Sequence, residues 1–528
     1  MPKCTINGKE IEVKAGATIM EAMYQMNEPI AHYCYHPGLS VAGVCRLCIV
    51  DIEGNPRPQI ACNTVVTEGM KVSNKSERIR DGVKWVLDFH LINHPLDCPI
   101  CDQAGECGLQ EQYMEFGKYD PEMAERKVKK HKVVDLGPTV VLDSERCILC
   151  SRCVRFTDEV SKTNELGIFN RGDRSEIGTA EGKELNNKYS LNTVDICPVG
   201  ALTSKDFRFR QRVWYLKDSN TICNGCSTGC NVKVYFNKEG LFRVKPIYNP
   251  EVNGHWMCDE GRNVYKFVNK EVRLLKGKKK SGTGDWTEMT AGAMAKDASS
   301  AVKSAGGEVA LVLTGQYTSE EYEKIVNTFV KDFNSKKIYH WINNKEIFND
   351  FDGLLLRGDK NPNTKGLLKV LENHSLSGSF AQLETDLKKG SVKTLVVAAP
   401  ENFAVYPDLK EKLSLFAKAE NLVWLSSARH PELDQMSGRI WQIPMKSYIE
   451  KSGTFVNHKG LEQKFHKVTT VVSEALTLAE ATDLLAGRNI AVEVVPQQDT
   501  FIEADRRADL VRLEHRKKNE FVYRRGSL

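Results

Sequence analysis

The sequence predicts a multidomain chain of mixed α+β and α/β type, with small cysteine-rich domains first and a larger α/β scaffold behind them. Its 528 residues are too many for one hydrophobic core. All sixteen cysteines except Cys4 lie between Cys34 and Cys258, and none follows Cys258. From residue 274 onward, short apolar runs alternate with helical patterns, which is typical of a parallel α/β sheet.

The composition excludes several classes of protein. A formal net charge of +5 is slight for this length, so no nucleic-acid footprint is expected. No apolar run approaches the roughly 18 residues of a membrane span. The opening stretch CTINGKEIEVKAG is typical of a hairpin turning at Asn7-Gly8, and we therefore expect no presequence. The clustered thiols favour a reducing cytoplasm, in which Cys4 would serve as a small buried hydrophobe.

The grouping of the cysteines points to a particular kind of metal site. Thiolate is a soft ligand that selects zinc, copper(I) or iron and sulfide. A zinc site usually takes two close pairs, whereas each group here combines a tight cluster with one or two distant partners. Iron–sulfur clusters take ligands in this way, and the sequence therefore predicts four of them.

The first set follows a short helix predicted over Thr18 to Tyr24. Its ligands would be Cys34, Cys45, Cys48 and Cys62. This one-two-one grouping has the logic of plant-type [2Fe-2S] ferredoxins, although the first gap is longer. Because four thiolates fill the site, the nearby histidines His32 and His36 are expected to have surface or supporting roles.

The second set combines a histidine with three thiolates. A helical pattern ends just before His94-Pro95, and Cys98, Cys101 and Cys107 follow. The three cysteines lack a fourth thiolate, and His94 stands where the missing ligand is needed. A neutral imidazole in place of a thiolate leaves a [4Fe-4S] cluster one unit less negative, which eases its reduction.

The third set is split between two half-motifs. CILCSRC supplies Cys147, Cys150 and Cys153, and Cys197-Pro198 supplies the fourth thiolate. This pattern is one half of a bacterial two-cluster ferredoxin and predicts one [4Fe-4S] cluster. The intervening GIFNRGDRSEIGTA suits a hairpin or an inter-cluster loop.

The fourth set would bind another [4Fe-4S] cluster. CNGCSTGC contributes Cys223, Cys226 and Cys230, and HWMCDEGR contributes Cys258. NVKVYF and LFRVKP between them alternate like paired strands.

The region beyond residue 274 contains repeated strand-then-helix units. VALVLTG, TLVVAAP and NLVWLSS are apolar strands, and Thr318-Ser319 before Glu320-Glu321 resembles a helix start. There is no GxGxxG or Walker pattern, so Gly315 is expected to serve an ordinary turn. The basic stretch from Phe501 to Leu528 suits either a helix docking on a partner or a solvated extension.

These motifs together resemble the large iron–sulfur subunit, usually called the G subunit, of bacterial NADH:quinone oxidoreductase, respiratory complex I. The resemblance over residues 1–216 rests on HYCYHPGLSVAGVCRLC, NHPLDCPICDQAGECGLQEQ, RCILCSRCVRF, GIFNRGDRSEIGT and DICPVGALTSK. CNGCSTGC with HWMCDEGR is similar to the cluster-binding module that opens molybdopterin oxidoreductases. Beyond about residue 270, only GDWTEMT and SYIEKSGTFVNHKG resemble the scaffold of those enzymes.

The resemblance implies a fold for each part of the chain. The expected division is a β-grasp [2Fe-2S] ferredoxin domain at 1–77, a small helical His/Cys segment at 78–118, a [4Fe-4S] ferredoxin-like domain at 119–216, a β-rich molybdopterin-oxidoreductase-type [4Fe-4S] module at 217–273, a degenerate α/β scaffold without molybdenum at 274–490, and a basic tail at 491–528. The scaffold is expected to be reduced, and no cysteine remains in it to bind molybdenum.

The resemblance also implies a function. Electrons from NADH would enter at a flavin on a partner subunit and pass through the binuclear cluster, the Cys147 set and the His94 set toward quinone-side iron–sulfur subunits. The Cys223 set would lie off that line. The chain would need no catalytic residue of its own, and it would lie on the cytoplasmic side of the bacterial inner membrane, attached through partners.

Two alternatives remain open from the sequence. One is the iron–sulfur diaphorase subunit of a soluble NAD-linked hydrogenase or formate dehydrogenase, which shares the first three sets. The other is a zinc-bearing interaction scaffold, which requires the bound metal to be zinc.

Overall fold

The computed structural model describes residues 1–118, 126–282, 284–342 and 350–496, and these form two compact units. Unit 1 contains the described residues of 1–216, 245–262 and 351–356. Unit 2 contains those of 217–244, 263–350 and 357–528. The finer division into six parts stays a prediction, and the tail lies outside the described residues from residue 497 onward.

Unit 1 is built from short strands and helices. Its strands are β1 (Lys3–Ile6), β2 (Lys9–Glu12), β3 (Ile49–Ile52), β4 (Gln59–Ile60), β5 (Met70–Ser73), β6 (Val134–Asp135), β7 (Val140–Leu142), β8 (Leu166–Phe169), β9 (Glu176–Thr179) and β10 (Leu202–Ser204). Its helices are α1 (Ile19–Gln25), α2 (Glu77–Leu91), α3 (Gly108–Phe116), α4 (Arg152–Arg155), α5 (Asn192–Asp195) and α6 (Asp259–Arg262).

The N-terminal sheet confirms the predicted ferredoxin-type domain. Its strand order is β2-β1-β5-β3-β4, with β1 parallel to β5 and the other pairs antiparallel. The hairpin turns at Asn7 and Gly8, whose φ angles of 50° and 83° are left-handed, as a two-residue hairpin turn requires. Thr18 caps α1 through a reciprocal capping box with Glu21. Cys4 is 2% exposed and packs in this core, as expected.

The remaining elements of unit 1 surround the cysteine loops. Strands β10, β7 and β6 form a three-stranded sheet, and β8 pairs with β9 as the predicted hairpin. Ser76 caps α2, which buries Ile79, Val83 and Leu87 against the core. The chain beyond α4 continues as one π-helical turn, Phe156–Val160.

Unit 2 contains the larger sheet. Its strands are β11 (Lys217–Ile222), β12 (Asn231–Asn237), β13 (Gly240–Pro246, whose last two residues belong to unit 1), β14 (Gly277–Gly282), β15 (Thr287–Met289), β16 (Val309–Thr314), β17 (Ile338–Trp341), β18 (Thr394–Ala398), β19 (Asn421–Ser426), β20 (Gly438–Pro444), β21 (Gly453–Val456) and β22 (Glu462–Phe465). Its helices are α7 (Ala291–Ala305), α8 (Ser319–Lys331), α9 (Thr364–Asn373), α10 (Phe380–Lys388), α11 (Leu409–Phe416), α12 (Pro431–Asp434) and α13 (Leu478–Leu485).

The seven-stranded sheet of unit 2 confirms the predicted parallel α/β scaffold. Its order is β15-β14-β20-β19-β18-β16-β17, and the five strands from β20 to β17 are parallel. Alternate residues face opposite layers: Leu311 and Val396 pack into one core, whereas Val312 and Val397 pack into the other. Thr318 caps α8 with Glu321, as the sequence indicated. The sequence did not reveal the antiparallel β14 and β15 at one edge.

Two shorter sets of strands complete unit 2. Strands β11, β12 and β13 form an antiparallel sheet, and β21 pairs with β22. No helix within the described residues is long and apolar enough to cross a membrane.

Candidate metal centres

The first predicted set comes together in one buried site in unit 1. Cys45 and Cys48 lie in the loop that leads into β3, and Cys62 follows β4. The four thiols of this set are at most 4% exposed. The positive φ angles of Gly43 and Arg46, 64° and 57°, curl the loop around the thiols. The N–H of Tyr33 donates to the Cys45 sulfur at 3.4 Å.

The thiols of this set are arranged as two pairs. A hydrogen bond from the Cys45 thiol lowers the pKa of Cys34, while the same contact and burial raise the pKa of Cys45. Cys48 and Cys62 form the second pair, in which the pKa of Cys62 is lowered by its hydrogen bond with Cys48. In a [2Fe-2S] cluster each iron binds two thiolates and two bridging sulfides. The four thiols present therefore fit the donor set of such a cluster.

Both neighbouring histidines make contacts of their own beside this set. His32 bonds the carbonyl of Ile30 through Nδ1 and the hydroxyl of Tyr24 through Nε2, each at 2.9 Å. His36 accepts from the N–H of Gly38 and stacks on Trp256, with 5.3 Å between ring centroids. Both residues have the supporting roles that the sequence suggested.

The second predicted set lines a cavity of about 700 Å³ in unit 1. His94 follows α2, Cys98 begins a short 3-10 turn, and Cys107 stands at the start of α3. These residues and Cys101 all line the cavity. Burial raises the pKa of Cys101 and Cys107, and Cys98 is exposed.

His94 has the properties of a metal ligand in this cavity. Its Nδ1 atom is buried and has no hydrogen-bond partner within the described part of the chain. Burial, with Arg146 and Lys127 nearby, lowers the pKa of His94 to about 4 and keeps the ring neutral. A neutral imidazole that shares its cavity with three thiols fits a His-Cys₃ cluster.

The third predicted set lines an enclosed apolar cavity in unit 1. Cys147, Cys150, Cys153 and Cys197 share this cavity with aliphatic side chains such as Leu142. Burial raises the pKa of Cys147 to about 12 and that of Cys150 to about 11. A thiol there ionises when a metal replaces its proton.

The backbone of the CILCSRC loop explains how its thiols converge. Leu149 and Ser151 have positive φ angles of 55° and 62°. These left-handed residues between the cysteines turn successive side chains toward one point, and the Leu149 N–H donates to the Cys147 sulfur at 3.4 Å. The sequence contains no glycine at these positions to signal such geometry.

The fourth predicted set is divided between the two units. Cys223, Cys226 and Cys230 are buried in unit 2, where the Cys223 N–H donates to the Cys230 carbonyl at 2.8 Å. Cys258 is buried in unit 1, and its sulfur accepts from the Gly261 N–H at 3.3 Å. Their joint role as ligands therefore stays a prediction from the sequence.

Contacts join the first and third sets. Arg152 donates to the carbonyl of Tyr35, next to Cys34, and to that of Ile196, next to Cys197. Arg155 donates to the carbonyls of Cys34 and Cys150. The two arginines thus hold the backbones of the two cysteine loops together. Nothing in the sequence singled out Arg152 and Arg155, because most of the carbonyls to which they donate lie far away along the chain.

Further contacts join the third and second sets. The Gly108 N–H donates to the Pro198 carbonyl at 2.9 Å, so the residue after Cys107 is bonded to the residue after Cys197. Gly200 lines the cavity of the second set. The third set of unit 1 is therefore in contact with both the first and the second set.

The described residues contain no group of three or more His, Cys, Asp or Glu side chains arranged to hold a single metal ion. An iron–sulfur cluster spreads its thiolates over several irons, so this observation concerns sites for one ion.

Family models match four successive stretches of the chain. They are the 2Fe-2S iron-sulfur cluster binding domain at residues 3–77, the NADH-ubiquinone oxidoreductase-G iron-sulfur binding region at 84–121, the ferredoxin-like domain of NADH-quinone oxidoreductase subunit 3 at 137–203, and the molybdopterin oxidoreductase Fe4S4 domain at 216–270. The chain therefore carries iron–sulfur domains of both the 2Fe-2S and the 4Fe-4S kinds.

Curated relatives extend the similarity. The G subunit of NADH-quinone oxidoreductase from Rickettsia conorii is 31% identical over 425 residues, covering 80% of this chain and 59% of the relative. The protein of the same name from Streptomyces coelicolor is 40% identical, covering 51% of this chain and 32% of the relative. The NADH-ubiquinone oxidoreductase 75 kDa subunit of Reclinomonas americana is 39% identical, covering 50% and 38%.

One solved structure completes the comparisons. A chain of an NAD⁺-reducing [NiFe]-hydrogenase in the H₂-reduced state is 29% identical, with a TM-score of 0.37, covering 40% of this chain and 91% of that chain. This score is too low to support an argument about fold or function. The present chain spans between one third and three fifths of the length of the first curated relatives. In its four iron–sulfur domains and in these relatives, the chain is similar to the G subunits of NADH-quinone oxidoreductase.

Proposed function

We propose that this chain carries electrons in the peripheral arm of an NADH:quinone oxidoreductase. The observation that carries the proposal is the linkage of three ligand sets in one unit, in which the third set contacts both of the others. When bound, the clusters supply one-electron carriers. The chain's own residues fix the spacing of those carriers and set their potentials through ligand charge, N–H donors and burial.

The proposed ligands are the sixteen residues named from the sequence. Cys34, Cys45, Cys48 and Cys62 would hold one [2Fe-2S] cluster. Three [4Fe-4S] clusters would be held by His94 with Cys98, Cys101 and Cys107, by Cys147, Cys150, Cys153 and Cys197, and by Cys223, Cys226, Cys230 and Cys258. No molybdenum is proposed, and no residue is assigned a catalytic role of its own.

The exposure of one ligand of the His94 set supports a direction for the electrons. The binuclear set would receive electrons from a flavin-bearing, NADH-oxidising partner, and the His94 set would pass them to quinone-side iron–sulfur subunits. The exposure of Cys98 supports exit at the His94 set, because a donor near the surface can approach an acceptor on another chain. The chain would be peripheral, on the cytoplasmic side of the bacterial inner membrane, and held there by its partners.

The assembled complex provides a direct test. Cys150→Ser, in the middle of the linked sets, should abolish NADH:quinone reduction while NADH:ferricyanide reduction at the flavin continues. Cys4→Ala is the matched control, because Cys4 belongs to none of the sets, and it should preserve both activities. Wild-type quinone reduction per assembled Cys150→Ser complex would refute the proposal.

A further inference from the structure

Arg146 is a buried cation that lies between the second and third cysteine sets. It immediately precedes Cys147, so its backbone is part of the third-set loop. Its side chain is only 5% exposed and lines the cavity that also contains His94 and Cys101. A permanent positive charge therefore lies in the wall of the second set.

Two carboxylates hold the Arg146 guanidinium in place. Asp97 Oδ2 lies 3.0 Å from its Nη2 and 3.3 Å from its Nε. Asp143 Oδ2 lies 3.3 Å from its Nε. Lys132 also contacts Asp97, Asp143 and Glu145, at 2.6, 3.6 and 2.9 Å. Arg146 is thus fixed by the carboxylates rather than free to leave the cavity.

The other charged groups around the cavity differ from Arg146 in exposure or position. Lys127 lines the cavity, but its ammonium donates to the carbonyls of Leu91 and Ile92 at the end of α2, each at 2.9 Å. Asp88 also lines it and is paired with Lys118 at 3.0 Å. Half-buried Arg208 interacts with Cys101 and Arg146 but does not line the cavity. Among the cations that line the cavity, Arg146 is the more deeply buried.

A fixed buried cation favours any state that adds negative charge beside it. One-electron reduction makes a cluster one unit more negative, and the attraction is stronger in a poorly solvated cavity than in water. Arg146 itself gains or loses no proton with the electron, because its guanidinium stays protonated at all relevant pH values. No bond is made or broken.

We propose that Arg146 is a positioning residue that raises the reduction midpoint of the cluster held by His94, Cys98, Cys101 and Cys107, and thereby favours electron passage from the Cys147 set onto the His94 set. The inference rests on the proposed function. It assigns the tuning of that step to one side chain of this protein.

The test is a set of anaerobic potentiometric titrations, followed by EPR, of the full-length chain loaded with iron and sulfide. Arg146→Gln should lower the midpoint of the His94-set signal by at least tenfold in the reduction equilibrium, which equals 59 mV for one electron. The Cys147-set signal should move less. Arg146→Lys, which keeps the charge, should recover at least half of the shift.

Two further variants separate this role from a purely structural one. Lys132→Gln removes a cation from the same carboxylates but not from the cavity wall, so it should lower the His94-set midpoint by less than half as much as Arg146→Gln. Asp97→Asn removes a negative charge from the wall and should raise that midpoint. This opposite shift keeps the proposal testable even if Arg146→Gln binds no cluster.

The outcomes distinguish the inference from the function beneath it. If the wild-type chain shows no His94-set signal, the proposed function itself fails. If that signal is present but Arg146→Gln leaves its midpoint unchanged, only the role of Arg146 is refuted. A fall in midpoint with Asp97→Asn, or an equal fall with Lys132→Gln and Arg146→Gln, would also refute it.

Discussion

Gly200 lies so close to Cys101 that a β-carbon at Gly200 would sit 2.2 Å from the Cys101 sulfur. Gly200 is three residues beyond Cys197, whereas Cys101 belongs to the His94 set. The loop that follows Cys197 therefore packs directly against Cys101, a predicted ligand of the His94 set. This contact is possible only because residue 200 has no side chain.

The first prediction follows from that contact. Gly200→Ala should displace the Cys101 sulfur and lower the iron content by about four atoms per chain, because a [4Fe-4S] cluster needs all its ligands. Iron analysis with EPR of the His94-set signal measures the loss. Gly292→Ala in α7 is the control, since its β-carbon would meet nothing nearer than 3.7 Å. Full iron content with an unaltered signal in Gly200→Ala would contradict the contact.

The second prediction concerns the charge of the histidine ligand. His94→Cys should keep the [4Fe-4S] cluster but lower its midpoint, because a thiolate adds one negative charge where an imidazole added none. The measurement is a redox titration of that signal beside the wild type. An unchanged titration would show that His94 is not a ligand. His32→Cys is the control. It should leave the midpoint of the His94-set signal unchanged, since both ring nitrogens of His32 already have hydrogen-bond partners.

The third prediction concerns the divided fourth set. Cys226→Ala should abolish one low-potential EPR signal and weaken assembly of the complex. Turnover per assembled complex should persist, because this set lies outside the three linked sets of unit 1. Complete loss of specific activity in complexes that do assemble would place the fourth cluster on the electron path.

The fourth prediction concerns pH and the buried carboxylates of unit 2. Lys451 Nζ lies 2.8 Å from Glu321 and 3.7 Å from Glu401, so two carboxylates share one cation. Burial raises the pKa of Glu401 to about 7. At this position the folded state therefore holds more of a proton than the unfolded state between about pH 4.5 and 7. The contribution of Glu401 to the free energy of unfolding falls as pH rises through that window, by on the order of 3 kcal/mol.

The apparent melting temperature at pH 5.5 and pH 8 tests this sign. The melting temperature of the wild type, taken relative to that of Glu401→Gln, should be lower at pH 8 than at pH 5.5, because only the wild type ionises at this position. Glu308→Gln is the control, since exposed Glu308 has a pKa lowered by its hydrogen bond to Lys393 and should not contribute to the fall. Equal pH dependence in the wild type and Glu401→Gln would contradict the assignment.

Sequence reasoning succeeded where the signal is local. The Asn7-Gly8 turn, the Thr18 and Thr318 caps and the alternating strands of unit 2 each depend on residues within a few positions of one another. The members of each cysteine set in unit 1 also lie on one or two loops. Such features are encoded by spacing, and spacing is visible in a single sequence.

Sequence reasoning missed what depends on distant partners. Arg146 reaches Asp97, Arg155 reaches Cys34, and Gly200 reaches Cys101, all across wide gaps in the chain. Nothing near Arg146 distinguishes it from a solvated arginine. A β-carbon at Gly38 would meet the rings of His255 and Trp256 at 2.8 Å, so these distant residues also require a glycine there. Only the folded arrangement gives these residues their roles.

Anaerobic metal and sulfide analysis of the purified full-length chain tests the central claim most directly. One [2Fe-2S] and three [4Fe-4S] clusters require about fourteen iron atoms per chain, an equal amount of acid-labile sulfide and no molybdenum. Zinc in place of iron, with little sulfide, would contradict the electron-carrier account and leave an interaction scaffold in its place.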